Sequence, residues 1–215
     1  MGARLVFVDV DTQIDFMLPQ GALYVPGAEE IIPNLRALMT CARHHGVPVI
    51  SSADAHPPND PSFAQWPPHC VIGTPGAQRI PETQFLAPSR LPNRLISFPP
   101  SMDFEGQTIV EKTAYDVLAN PNFDPLLERL APTRAVVFGV ATEYCIRSSA
   151  LSLRGRRIPV DLVVDAIKGI TPDESKKAIQ EMTGAGVRLV KTEEVLAEIG
   201  CAGTTASISG FQDRQ

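Results

Sequence analysis

VVFGVATEYCIRSSA, residues 136–150, opens as an apolar β-branched run and breaks at Ala141-Thr142. It then carries Cys145 about one turn into a helical pattern. A strand apolar on both faces that feeds directly into a helix is the unit from which parallel, doubly covered sheets are built. If Thr142 caps that helix, Cys145 lies in its first turn, where unpaired N–H groups and the dipole favour a thiolate and could hold an oxyanion. Taken alone, the same cysteine reads as a small buried hydrophobe.

The surrounding chain repeats this unit. RLVFVDV (4–10), VPVISSA (47–53), RLISF (94–98), TIVEK (108–112), RAVVFGV (134–140), PVDLVVDA (159–166) and VRLV (187–190) read as strands. Between them apolar residues recur at helical spacing: Ile31, Leu35, Leu38, Met39 and Ala42, then Leu126, Leu127 and Leu130, then Ala178, Ile179 and Met182. Pro125 and Asp173 sit where first-turn residues belong. The alternation predicts an α/β fold, a three-layer α-β-α sandwich around a mostly parallel sheet of about six strands. At 215 residues and 44% hydrophobic, the chain has enough apolar material for one core, so a single domain over 1–200 is expected. CAGTTASISGFQDRQ (201–215) is small and polar, and reads as a C-terminal tail or a homo-oligomer contact.

A net charge of −5 offers no basic stripe for a phosphate backbone, which argues against a nucleic-acid partner. No apolar run is long enough to span a bilayer and no basic-then-apolar leader opens the chain, so a cytoplasmic protein with no membrane partner is expected. The four cysteines, Cys41, Cys70, Cys145 and Cys201, are far apart with no CxxC spacing, and reduced thiols are the expectation. Residues 57–100 hold 11 of the 20 prolines and no long helical pattern. With Phe63, Trp66 and His69 inside it, this segment reads as an ordered, site-forming excursion rather than a connector.

Ligands of open parallel sheets bind beyond the carboxyl ends of the strands. There this chain places Asp11, Asp54 and His56, Lys112, and Cys145. Each has a bland reading: Asp11 as a turn cap, Lys112 as a solvated edge residue, Asp54-x-His56 as a chance pair. Together they supply a base, a cation to hold it, a thiol and metal-type ligands, and His69 extends the ligand set to an open site for a divalent ion. Asp15 reads as a turn or surface acid, and His44 and His45 as a solvated or dipole-facing helix end. Phe16 and Trp66 are either core or the walls of a pocket for a planar ring.

These residues, in this order, resemble the nicotinamidase/pyrazinamidase branch of the isochorismatase-like cysteine hydrolases. The features that carry the resemblance are Asp11-Thr12-Gln13-Ile14-Asp15-Phe16, the D-x-H at 54–56 with a second histidine in WPPHCVIGTPGA, the lysine of EKTAYD, and G-x-A-T-x-x-C at 139–145. They span most of the chain, from FVDVDTQIDF to VVDAIKGITPD. The resemblance implies a catalytic triad of Asp11, Lys112 and Cys145, and one divalent metal ion (Zn²⁺, Fe²⁺ or Mn²⁺) on Asp54, His56 and His69. It also implies a pyridine ring beside Phe16 and Trp66, a cis peptide at Val140–Ala141, and an oxyanion hole from the backbone N–H groups of Ala141 and Cys145. The implied reaction converts nicotinamide to nicotinate and ammonia through a cysteine thioester, a step of NAD salvage, with the metal orienting the ring nitrogen. Many relatives read D-W-H-P-x-x-H-G-S-F where this chain reads DAHPPNDPSF (54–63). Asp60 therefore falls where a further histidine ligand would be, and is expected to bind the ion directly, bind it through water, or leave the position to solvent. The alternatives are another isochorismatase-like hydrolase acting on a carbamoyl, ureido or isochorismate substrate, and a catalytically silent scaffold.

Overall fold

The alternation of apolar residues along the strands decides how the layers form. In β1 (Leu5–Val10), Val6, Val8 and Val10 enter one core while Phe7 enters the other. In β5 (Arg134–Val140), Ala135 and Val137 take the first side and Val136, Phe138 and Val140 the second. Strands buried on both faces need helices on both faces. The structure, a computed structural model describing residues 4–99 and 101–201, supplies them. The first core is closed by α3 (Phe123–Leu130), α4 (Arg147–Gly155) and α5 (Pro172–Gly184), the second by α2 (Ile32–His45) and α6 (Thr192–Ile199). A short α1 (Ile14–Met17) follows β1.

The sheet has seven strands, all parallel, in the order β3-β4-β2-β1-β5-β6-β7. The remaining strands are β2 (Val49–Asp54), β3 (Ser89–Leu91), β4 (Gln107–Lys112), β6 (Val160–Lys168) and β7 (Arg188–Val190). This is the expected three-layer sandwich, with seven strands rather than about six. The run at 94–98 is not among them. Its backbone is bonded to a side chain instead: Ile96 N–H donates to Asn122 Oδ1, and Asn122 Nδ2 donates to the Arg94 carbonyl. The edge position goes to Ser89–Leu91, which pairs with Thr108–Val110. The rest of the excursion, among the described residues, forms short 3₁₀ turns, Pro61–Ala64, Pro75–Ala77 and Pro81–Thr83, and two isolated bridges, Val71 with His56 and Arg79 with Gln13.

Cys41 and Cys201 correct the expectation of four free thiols: they are joined as a disulfide, with Cα atoms 5.9 Å apart and a sequence separation of 160. The cause is packing of α6 against α2 on one face, which no sequence spacing reveals. The proposed tail thus begins at a buried, tethered residue, and 202–215 lie outside the described residues. Among the described residues no helix is long and apolar enough to cross a membrane.

Candidate active site

β1 lies at the centre of the sheet with β2 on one side and β5 on the other, so chain connections leave it in both directions and a crevice opens at its carboxyl end. The order β4-β2-β1-β5 sets Lys112, Asp54, Asp11 and the turn bearing Cys145 side by side. Asp54 and Lys112 are register partners. Asp11, one residue past β1, adopts φ +50°, a left-handed conformation that Asp tolerates better than most side chains.

The route to Cys145 differs from a capped helix. β5 shifts register against β6 between Val137 and Gly139, and Gly139 has φ +119°. A Cβ on Gly139 would stand 2.1 Å from the Val10 carbonyl oxygen, so only glycine lets the two strand ends approach this closely. The Val140–Ala141 peptide is cis, as the resemblance implies. Thr142 is buried and makes no capping bond; residues Thr142–Ile146 form a π-helical turn in which Tyr144 and Ile146 N–H both donate to the Ala141 carbonyl. Glu143 joins this turn to the loop after β6, accepting from the N–H groups of Ile170 and Thr171 at 2.8 and 3.1 Å.

Lys112, fully buried, is the hub. Its Nζ is 2.8 Å from Asp11 Oδ2, in close contact with Asp54 Oδ1, and 3.5 Å from Cys145 Sγ. Burial alone would lower its pKa, but Asp11, Asp54 and Cys145 hold it well above the ordinary lysine value. Asp54 is the carboxylate that this cation keeps ionised: against the effect of burial, Lys112 and then His56 and His69 pull it well below the usual range. Burial raises Asp11, with Lys112 opposing and Asp54 adding to the shift. Burial also pushes the Cys145 thiol well above its ordinary value, Lys112 opposing, which favours the protonated thiol over the thiolate expected from a helix start. Ser52 Oγ donates to Asp11 Oδ1 at 2.6 Å, while the buried Oδ2, though close to the ammonium, has no aligned donor and is left able to accept a proton.

The D-x-Q-x-D segment brackets the site. Gln13 holds the end of β2 on both sides, accepting from Asp54 N–H at 2.7 Å and donating to the Asp54 carbonyl at 2.8 Å. Asp15 is buried, not a surface acid. It accepts from Ala22 N–H at 3.0 Å and Cys70 N–H at 2.7 Å, fixing the backbone beside His69.

Asp54, His56 and His69 converge, with one ligand atom from each within 4.8 Å of the others. His56 Nε2 and His69 Nε2 lie 3.7 and 3.8 Å from Asp54 Oδ2. His69 Nδ1 is 2.8 Å from the Pro67 carbonyl oxygen, which can only accept, so Nδ1 is the donor there and Nε2 is the nitrogen that faces Asp54. Two buried imidazoles and a carboxylate with their ligand atoms this close fit the donor set of a divalent-metal site. Asp60 is not in the set. One of its oxygens accepts from Ser62 N–H at 2.8 Å, and the other lies 3.0 Å from the buried His56 Nδ1.

A cleft over Cys145 is lined by Phe16, Leu23, Val25 and Ile170 and borders Asp11, Asp54 and His69. Trp66 is there too, in an aromatic wall that the sequence reading missed: its Nε1 donates to Tyr115 Oη at 3.1 Å, and both rings meet Tyr144. The available signals were short-range, Tyr144 preceding Cys145 and Tyr115 following Lys112 in EKTAYD. His44 and His45 stay in the last turn of α2. A larger cavity of about 450 Å³ is lined by Ala53, Asp54, Arg79, Ile109 and Glu111; Asp54 borders both openings, whereas Asp11, Lys112 and Cys145 do not line this one.

The chain matches the Isochorismatase domain over residues 5–94 and 93–194. It belongs to the isochorismatase family. The nicotinamidase/pyrazinamidase of Mycobacterium tuberculosis is 30% identical, over 84% of this chain and 95% of that protein. The zinc complex of Pyrococcus horikoshii pyrazinamidase superposes with a TM-score of 0.72 at 30% identity, covering 87% of this chain and 99% of that one. A more distant relative, Escherichia coli enterobactin synthase component B, is 25% identical over 80% of this chain but only 55% of that protein. Within the isochorismatase family the chain is an amidohydrolase of the nicotinamidase/pyrazinamidase type.

Proposed function

We propose that this amidohydrolase converts nicotinamide to nicotinate and ammonia, a step of NAD salvage, with Cys145 as nucleophile, Asp11 as acid–base group and Lys112 as the cation that organises both. The observation that carries the reading is the single ammonium of Lys112 touching Asp11, Asp54 and, at 3.5 Å, Cys145 Sγ beneath one apolar cleft. It ties a nucleophile and its base to a metal-type ligand set. The cytoplasm is the expected compartment.

A neutral thiol must lose its proton as it attacks, and Asp11 Oδ2 is the acceptor. The Sγ–carbon bond forms as the carboxamide C=O becomes a C–O⁻, which the N–H groups of Ala141 and Cys145 hold. Asp11 returns the proton to the amide nitrogen, the C–N bond breaks and ammonia leaves a thioester. Asp11 then takes a proton from water as it adds to that carbon. The C–S bond breaks, and the proton goes to the departing sulfur. Phe16 and Trp66 fix the ring plane in the cleft. Asp54, His56 and His69 would hold one Zn²⁺, Fe²⁺ or Mn²⁺, which when bound supplies a Lewis-acid anchor for the ring nitrogen.

Ammonia release across a small amide panel, with metal analysis, tests this. Nicotinamide and its pyrazine analogue should yield ammonia, and Cys145→Ala should yield none while still binding nicotinamide in a calorimetric titration. Turnover of a carbamoyl, ureido or isochorismate substrate, with none of the heteroaromatic amides, would establish the alternative that the 25% likeness to enterobactin synthase component B keeps in view.

A further inference from the structure

His56 and His69 both present Nε2 to the Asp54 carboxylate, but their far nitrogens are held differently. His69 Nδ1 meets a neutral carbonyl, that of Pro67. The nearest acceptor to His56 Nδ1 is a carboxylate, Asp60 Oδ2 at 3.0 Å, and among the described residues no other hydrogen-bond partner is available to that buried nitrogen. Asp60 is itself fixed. It is the N-cap of the Pro61–Ala64 turn and accepts from Ser62 N–H through Oδ1, which leaves Oδ2 directed at the imidazole. The contact is close without being aligned as a hydrogen bond, and it lies on the side of the ring away from Asp54.

We propose that Asp60 is a positioning residue and not a ligand: it holds His56 as the Nδ1–H tautomer so that Nε2 binds the metal, leaving the ion with three protein ligands. This rests on the reading of Asp54, His56 and His69 as a metal set. A carboxylate behind a ligating imidazole fixes the ring and makes the ligating nitrogen more basic.

The test uses the full chain loaded with Zn²⁺ or Co²⁺ alone. In chelator competition, Asp60→Ala should weaken zinc binding about 10- to 100-fold, and Asp60→Asn, which keeps an acceptor, by no more than a few-fold. Stoichiometry should stay at one ion. The visible spectrum of the cobalt form should keep its intensity in both variants, because the number of protein ligands is unchanged. Long-range ¹H–¹⁵N spectra of the metal-free chain should show His56 as Nδ1–H in the wild type and a tautomer mixture in Asp60→Ala. That last readout separates positioning from loss of the turn cap, which alone would lower thermal stability without moving the tautomer. Unchanged zinc affinity in Asp60→Ala overturns the proposal while leaving the metal site standing. A cobalt spectrum that loses a ligand in Asp60→Ala makes Asp60 a direct ligand and also overturns it. A wild type that binds no metal removes the site itself.

Discussion

Lys112 is fully buried with its ammonium against two carboxylates, so its removal leaves Asp11 and Asp54 without their counter-charge in a dry site. Lys112→Met should therefore cost about 3–5 kcal/mol of stability, measured as the shift in urea unfolding, and abolish ammonia release. Lys112→Arg should not restore turnover, because a planar guanidinium cannot occupy the point shared by three partners. Cys145 yields a second expectation. The thiolate is the species that alkylates, and burial places the thiol pKa above its ordinary value. Iodoacetamide labelling of Cys145, followed by mass spectrometry, should be slower than for free cysteine at pH 7 and should keep rising past pH 9. A plateau near neutrality would instead support the helix-start thiolate expected from sequence. That Asp11, Asp54, His56, Lys112 and Cys145 would lie near one another was legible because strand ends converge in a parallel sheet, and His69 was picked out only by the composition of the excursion that carries it. Gln13, Asp15 and Ser52 were not, since a buried polar bracket is defined by partners that only the fold brings near.

Gly139 shows how one element places Cys145. It is the penultimate residue of β5, just before the Val140–Ala141 peptide, and an added methyl would meet the Val10 carbonyl at 2.1 Å in a backbone conformation that L side chains rarely adopt. Gly139→Ala should destabilise by about 1–3 kcal/mol and reduce turnover more steeply than nicotinamide binding, read from urea midpoints and a kcat-against-KM comparison. Gly184→Ala is the contrasting case: it ends α5, and its added methyl has nothing within 4 Å. That variant should hold or gain about 0.5 kcal/mol with unchanged activity. Strand and helix periods were readable in the long elements. They failed at 94–98, where a buried asparagine competes for the backbone, and at Thr142, where the cap residue of a helix was expected and a π turn formed.

Across the whole molecule, strands apolar on both faces were enough to foresee a parallel sheet between two helical layers, because nothing else buries both sides of such a strand. The strand order was not foreseeable in detail, and neither was the contact between α2 and α6 that joins Cys41 to Cys201. A cross-link spanning 160 residues restrains the unfolded chain strongly, and removing such a bond costs typically about 2–4 kcal/mol. Cys41→Ser, Cys201→Ser and the double variant should lower the urea midpoint equally, and a reductant should bring the wild type to the same value. Neither cysteine borders the cleft over Cys145, so ammonia release at room temperature should survive all four conditions. If reductant leaves the wild-type midpoint unchanged, the two cysteines are thiols in the purified protein, as a reducing compartment would keep them, and α6 is held to α2 by apolar packing alone.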